Sequence, residues 1–173
     1  QALEYYYEVY EKHNNLMWGR KLGFEQFNSE DDEIITELSN LLQNSEIDMT
    51  IFFRLLSSIK KPDVNDVKFA FYKEEKILED EWNSWLNRWW SRVNGNPDQE
   101  KMRQSNPKYV LRNWMAQLAI DAAEKQDYSV ANELYELLKL PYEEQLEYEE
   151  KWFQKRPEWA KNRVGCSMLS CSS

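Results

Sequence analysis

The chain has 173 residues, 42% of them hydrophobic and 14% aromatic, which is enough apolar material for the core of an ordinary domain. Its 4 Gly and 5 Pro are too few for the many tight turns of a β-sandwich or barrel, so an all-α fold is predicted. The 31 acidic and 22 basic side chains give a net charge of −9, which repels nucleic-acid phosphates and anionic lipid headgroups. Neither nucleic acid nor a membrane is therefore expected as a partner.

The two ends of the chain indicate its context. No apolar run is long enough to span a membrane, and the N-terminus lacks the basic-then-apolar pattern of a secretory signal. Helical spacing of apolar residues begins at Leu3, which predicts that the chain is a fragment starting inside a helix. The two cysteines, Cys166 and Cys171, both lie in the last eight residues, where they cannot staple a core. A reducing compartment is expected.

Apolar residues recur at steps of three and four in every long segment, which predicts a bundle of six amphipathic helices. Their approximate ranges are 2–18, 29–42, 48–61, 75–93, 106–122 and 127–138. The predicted N-terminal caps are Ser29, Asp48, Asn106 and Ser129, and Gly23 is the predicted stop of the first helix. A short turn with one or two helical turns is expected over 63–72, and a short acidic helix over 142–153.

The segment 75–93 is the most aromatic part of the chain. Its tryptophans are Trp82, Trp85, Trp89 and Trp90. Such a stripe could be a platform on which bases or sugars stack, or the buried face of a helix that crosses the core. Helical spacing and acidic neighbours favour the core.

Two regions are predicted from these patterns. A helical domain covers 1–155, and an irregular tail covers 156–173, because Pro157 and Gly165 interrupt the helical pattern there. The tail carries both cysteines.

Few residues have the spacing that catalysis or ligand binding requires. His13 is the only histidine, and it is expected to be a partly exposed helical residue. No glycine-rich phosphate loop is present. The acidic runs at 30–33 and 143–144 lack the spacing of a calcium loop and are interpreted as solvated helix faces. No catalytic, cofactor-binding or metal-binding residue is therefore predicted in this chain.

Cys166 and Cys171 are the candidate redox residues. Four residues separate them, so a mutual disulfide is within reach but not enforced, and Cys171 could instead reach a thiol elsewhere. The nearby terminal carboxylate opposes formation of a thiolate at Cys171. Chemistry alone leaves both an inert tail and a redox switch open.

Five segments together resemble the selenoprotein O family, in the right order along the chain. They are 17–23 with its Lys-Leu-Gly element, 50–56 with its aromatic residues and Arg54, 106–117, 157–160, and the terminal Cys-Ser-Ser of 171–173. The resemblance covers nearly the whole chain but only the C-terminal third of a family member.

The resemblance implies that the parent protein has a kinase-like (pseudokinase) fold and is a protein adenylyltransferase. Such a protein transfers AMP from ATP to Ser, Thr or Tyr hydroxyls of other proteins, with magnesium or manganese as the metal. The family's ATP-binding, metal-binding and catalytic residues lie upstream of Gln1, so this chain alone is expected to be inactive and to bind no ATP. Its partners would be the kinase-like core of the same protein and, through it, protein substrates.

The resemblance also gives the cysteines a role. Many eukaryotic members carry selenocysteine at the third position from the end, and bacterial members commonly carry cysteine, which is Cys171 here. By resemblance, Cys171 would form a disulfide with a core cysteine and regulate the active site. Cys166 is the internal alternative. A bacterial member is expected in the cytoplasm and a eukaryotic one in mitochondria.

The alternative function is an independent helical module that binds another protein through its acidic surface and aromatic grooves, without catalysis. An excised segment should expose the apolar face that met its core, whereas an independent module should not. A small thiol oxidoreductase would need a Cys-x-x-Cys motif, which the sequence lacks.

Overall fold

The computed structural model describes residues 2–166, and over this range the chain forms eight α-helices. They are α1 (Ala2–Leu22), α2 (Asp31–Asn44), α3 (Met49–Leu56), α4 (Glu79–Arg92), α5 (Gln99–Ser105), α6 (Asn113–Ala123), α7 (Ser129–Lys139) and α8 (Glu149–Trp152). Short 3₁₀ helices cover Val64–Ala70, Glu74–Lys76, Leu146–Tyr148 and Glu158–Ala160. An isolated antiparallel bridge pairs Ile47 with Phe71, but no β-strand forms within the described range, so the all-α prediction is confirmed.

The helices form two compact units, the first ending at Asn106 and the second beginning at Pro107. The first unit contains α1 to α5, and the second contains α6 to α8. The sequence pattern did not indicate this boundary. The predicted division at residue 155 stays a prediction.

The core of the first unit forms around the tryptophans of α4. Trp82, Trp85 and Trp89 are at most 1% exposed, and the rings of Trp85 and Trp89 stack at a centroid distance of 6.1 Å. Each indole N–H also donates a hydrogen bond to a different segment. The acceptors are the hydroxyl of Ser45 (3.1 Å) and the carbonyls of Ile34 (2.8 Å) and Leu22 (2.9 Å). The stripe is therefore a core face, as predicted, with its polar N–H groups satisfied.

The second unit has its own core. Its buried apolar and aromatic residues are Tyr109, Trp114, Met115, Leu134, Leu137, Trp152, Phe153 and Ala160. Lys108 is only 4% exposed at its side chain, and its ammonium lies 2.8 Å from the carboxylate of Glu144 and 2.6 Å from that of Glu149. This double pairing compensates for burying a charge.

Of the four predicted N-terminal caps, one was correct and three were wrong, and α4 begins at Glu79 rather than at the predicted residue 75. Asp48 caps α3, since its carboxylate accepts a hydrogen bond from the amide of Ile51 at 3.1 Å. Ser29 is not a cap, because α2 begins at Asp31 and Glu30 occupies the cap position without a side-chain bond. Ser129 is the first residue of α7 rather than its cap.

The third wrong start was at Asn106 and Pro107. Asn106 follows α5, a helix that the sequence pattern missed, and the next helix begins only at Asn113. Val110 and Leu111, which fall within the predicted helix 106–122, are 39% and 53% exposed and lie in the connection before α6. The side chain of Asn106 bonds to residues far away in sequence, and it therefore does not cap a helix.

Two helix ends also differ from the prediction. Helix α1 continues four residues beyond Trp18 to Leu22, and Gly23 then stops it with a positive φ of 70°, as predicted. Helix α3 ends at Leu56, five residues before the predicted end at residue 61. Across residues 2–166, no helix combines the length and apolar character that crossing a bilayer requires.

Candidate functional site

Three of the segments that carry the family resemblance meet in a polar cluster of the first unit, which we call the Lys21–Arg54–Asn106 cluster. The guanidinium of Arg54 donates hydrogen bonds to the carbonyls of Arg103 (3.3 Å) and Asn106 (3.2 Å). The side-chain amide of Asn106 donates to the carbonyl of Lys21 (2.9 Å) and the hydroxyl of Ser57 (3.1 Å). Its oxygen accepts a bond from the Lys21 ammonium at 2.9 Å.

Burial makes this cluster sensitive to substitution. Arg54 is 4% exposed and Asn106 is 1% exposed. Burial lowers the pKa of Lys21, whose ammonium also lies 4.2 Å from the centre of the Phe53 ring. Buried donors and acceptors that lose their partners cost more free energy than exposed ones. The cluster thus joins α1, α3 and the end of α5 by polar bonds within the core.

Gly23, in the same Lys-Leu-Gly element, is required for a different reason. Its φ is positive, and an added Cβ would lie 2.8 Å from the sulfur of Met102 on α5. Glycine therefore allows the chain to leave α1 while α5 packs closely beside it. These motif residues have structural roles in the first unit.

The acidic run at 30–33 contains one buried carboxylate. Asp31 was expected on a solvated face, but it is fully buried and accepts two hydrogen bonds from Arg92, at 2.5 and 3.0 Å. That interpretation was wrong because the carboxylate also receives the amide of Asn28 at 2.8 Å and so closes the turn before α2. Within the described range, no group of three or more His, Cys, Asp or Glu side chains is placed to hold a metal ion.

Cys166, the last residue described, lies against the start of α6 in the second unit. It is 7% exposed and is a free thiol. The side-chain amide of Asn113 donates to its carbonyl at 3.3 Å, and its own amide donates to the carbonyl of Arg163 at 3.1 Å. Gly165 precedes it with a φ of 83°, where a side chain is disfavoured. The backbone at Cys166 is thus held in place from two sides.

An ion pair holds the same segment to the middle of α6. The guanidinium of Arg163 donates to both carboxylate oxygens of Asp121, at 2.8 and 2.7 Å, in the bidentate geometry that arginine favours. Gln117 donates to the same carboxylate at 2.8 Å. The hydrogen bond from Arg163, followed by that from Gln117, holds the pKa of Asp121 below its usual range, and the hydrogen bond with Asp121 raises the pKa of Arg163. We call Asn113, Gln117, Asp121 and Arg163 the Cys166 anchor.

The residues that the sequence singled out are placed as follows within the described range. Cys166 is buried beside the anchor, and Cys171 lies outside the described residues. His13 is exposed on α1, as predicted. Sequence reasoning missed Asp121 and Arg163, which lie 42 residues apart and form no local pattern. Asn113 and Gln117 belong to the 106–117 motif, and that motif was the one sequence feature that could have indicated the anchor.

Comparisons with known proteins agree with the resemblance. The family model described as protein adenylyltransferase SelO matches residues 1–139. A protein nucleotidyltransferase YdiU of Flavobacterium johnsoniae is 52% identical over 170 residues, which cover 91% of this chain and 32% of the relative. Proteins of the same name from Aromatoleum aromaticum and Tolumonas auensis are 43% and 41% identical over 100% of this chain and 35% of their own length. The chain therefore spans about a third of the length of these relatives.

Proposed function

Because the chain belongs to the protein adenylyltransferase SelO family, we propose that it is the helical C-terminal part of a protein that transfers AMP from ATP to Ser, Thr or Tyr hydroxyls of other proteins. The observation that carries the proposal is the 52% identity, over 91% of this chain, to a protein named a nucleotidyltransferase. The relatives are about three times as long as this chain, which leaves room for a nucleotide site outside it.

In the proposed reaction a protein hydroxyl oxygen forms a bond to the α-phosphorus of ATP, pyrophosphate leaves, and the hydroxyl proton passes to a base. ATP and magnesium or manganese would be bound by the kinase-like part of the parent protein. The described residues provide no cluster of metal-binding side chains, and we assign no catalytic or ligand-binding residue to this chain. Its role is to pack against that kinase-like part and to carry the regulatory cysteine.

We assign redox regulation to Cys171, which would form a disulfide with a cysteine of the kinase-like part. In that step an oxidant such as hydrogen peroxide takes two electrons and two protons from the two thiols and becomes two water molecules. The burial of Cys166 supports this assignment, because its thiol is the internal alternative. A buried thiol reacts more slowly than an accessible one.

The test uses the full-length protein and ATP labelled at the α-phosphate. We expect label to appear on protein acceptors and the yield to change after peroxide treatment. Replacing Cys171→Ser should abolish the effect of peroxide, whereas Cys166→Ala should leave it in place. Peroxide sensitivity that survives in Cys171→Ser contradicts the redox role, and the absence of any AMP transfer contradicts the enzymatic one.

The compared relatives come from bacteria. If this protein is also bacterial, we propose that it lies in the cytoplasm. A eukaryotic source would instead predict mitochondria. Fractionation of the source cells with an antibody against this chain distinguishes the two.

A further inference from the structure

The first half of α1 projects from the first unit without being covered. Every residue from 3 to 13 is exposed, although this segment is rich in large apolar and aromatic side chains. The exposed fractions are 69% for Leu3, 70% for Tyr5, 61% for Tyr6, 60% for Tyr7 and 58% for Tyr10. We call residues 3–13 the projecting half of α1.

The apolar residues of the projecting half occupy two faces of the helix. At 3.6 residues per turn, Leu3, Tyr6, Tyr7 and Tyr10 fall within an arc of about 100°. Tyr5 and Val9 form a second face, on which Leu16 continues one stripe along the helix. The rings of Tyr6 and Tyr10 stack at 6.2 Å, and those of Tyr6 and Tyr7 meet edge to face at 5.8 Å. The first face is therefore a continuous aromatic surface.

The other half of α1 shows which side faces the first unit. Leu22 is fully buried, and the Trp18 ring lies 6.1 Å from that of Phe53. On the helical wheel, Glu4, Tyr7 and Glu11 lie closest to Trp18 and Leu22, so the edge of the first face at Tyr7 continues the side that the rest of α1 turns toward the unit. The second face, around Tyr5 and Val9, points away from that side, and the unit covers none of residues 3–13.

The size of this surface makes simple solvation a poor explanation. A tyrosine buries roughly 150–250 Å², so the three tyrosines of the first face, exposed by about three fifths, offer on the order of 350 Å², to which Leu3 adds. That area lies within the range of the largest apolar patch on an ordinary monomer, about 300–600 Å², and such patches commonly bind something. A helix with apolar residues on two faces fits in a groove better than on a flat surface.

We propose that the projecting half of α1 docks into an apolar groove on the remaining two thirds of the same polypeptide. The inference rests on the proposed function only in requiring a longer parent protein. This occupant is favoured because the chain covers 32–35% of the length of its relatives, so most of the parent lies outside it. The groove should offer hydrogen-bond acceptors to the tyrosine hydroxyls.

The direct experiment is photo-crosslinking in the full-length protein. A benzoylphenylalanine in place of Tyr6 should crosslink within one molecule to a peptide outside residues 1–173. The matched control is the same substitution at Tyr135, an equally exposed tyrosine on α7 (65%). Position 135 should not crosslink to the peptide that position 6 reaches. A crosslink from position 6 to a second molecule, or none to any residue outside 1–173, overturns the proposal.

A second measurement avoids the bulky substitution. The unmodified full-length protein is oxidised with hydroxyl radicals, and the oxidation rate of each tyrosine is divided by that of added N-acetyltyrosinamide. The relative rates at Tyr6, Tyr7 and Tyr10 should be several-fold lower than expected for tyrosines as exposed as they are in this chain. Oxidation at the rate of exposed tyrosines contradicts docking. Active AMP transfer with exposed tyrosines defeats this inference alone, whereas protected tyrosines without AMP transfer defeat the proposed enzymatic function alone.

Discussion

The Lys21–Arg54–Asn106 cluster and the Cys166 anchor are both built from residues distant in sequence, but they differ in burial. The first is nearly excluded from solvent, with Arg54 and Asn106 at most 4% exposed. In the second, the side chains of Arg163 and Asp121 are 40% and 33% exposed. A buried polar cluster must stay intact for the unit to fold, whereas an exposed ion pair can open at little cost in free energy. The first therefore stabilises the fold, and the second is suited to hold or release a segment.

Replacing Arg54→Met should give the largest effect, because it leaves the carbonyls of Arg103 and Asn106 without this donor inside the core. We expect the free energy of unfolding to fall by about 3 kcal/mol. Urea denaturation followed by tryptophan fluorescence measures it, since the α4 indoles report on this unit. Arg20→Met, an exposed arginine on α1, is the control and should change stability by less than about 0.5 kcal/mol. Equal effects at the two positions would contradict the structural role of the cluster.

Two glycines at the end of α1 should respond in opposite directions to alanine. Gly23→Ala introduces a Cβ 2.8 Å from the Met102 sulfur at a positive φ, and should destabilise by about 1–3 kcal/mol. Gly19→Ala lies inside the helix with no atom within 4 Å of the new Cβ, and should stabilise by about 0.5–1 kcal/mol. The same denaturation experiment measures both. Changes of the same sign would show that the packing of α5 beside Gly23 is wrong.

The Cys166 anchor should show its effect in titration rather than in global stability. The Asp121 carboxyl should titrate below its usual range in a ¹³C NMR experiment, and Arg163→Gln should raise its pKa toward the ordinary value. Asp127, whose pKa is lowered by bonds from Ser129, is the internal control and should not move. A normal pKa for Asp121 in the unmodified protein would remove the evidence for the ion pair.

The sign of the pH dependence follows from that depressed pKa. Because the folded-state pKa of Asp121 is lower than the unfolded one, the ion pair stabilises the anchor fully above the unfolded pKa of about 4. Its contribution is lost as the pH falls through the folded-state pKa. The thiol of Cys166 should then react faster with 4,4′-dithiodipyridine, which labels thiols in acid, and Arg163→Gln should show faster labelling already at neutral pH. Labelling that is equally slow in both proteins would mean that the ion pair does not protect this thiol.

Local pattern predicted most of the helices because helix burial repeats every three to four residues. The tryptophans of α4 followed that spacing and are buried as expected. The pattern failed where a local signal served a distant purpose. Asn106 followed by Pro107 has the composition of a helix start, but the Asn106 side chain binds Lys21, 85 residues away. No window of local sequence contains that bond.

Only part of the candidate site could be predicted from the sequence, and only through the family resemblance. Asn113 drew attention as part of a motif, but its bond to Cys166 spans 53 residues. Asp121 and Arg163 are ordinary charged residues in sequence, and only the fold shows that they pair. The sequence pattern placed Leu3 in a helix, but it did not show that residues 3–13 of that helix are all exposed.

The most direct test of the central claim is the mass of the natural polypeptide, detected in the source cells with an antibody raised against this chain. The account predicts a product about three times the 21.0 kDa of the chain, since the chain spans about a third of its relatives. A natural product near 21.0 kDa would contradict it, because neither a nucleotide site nor the groove for α1 would then have a place in the protein.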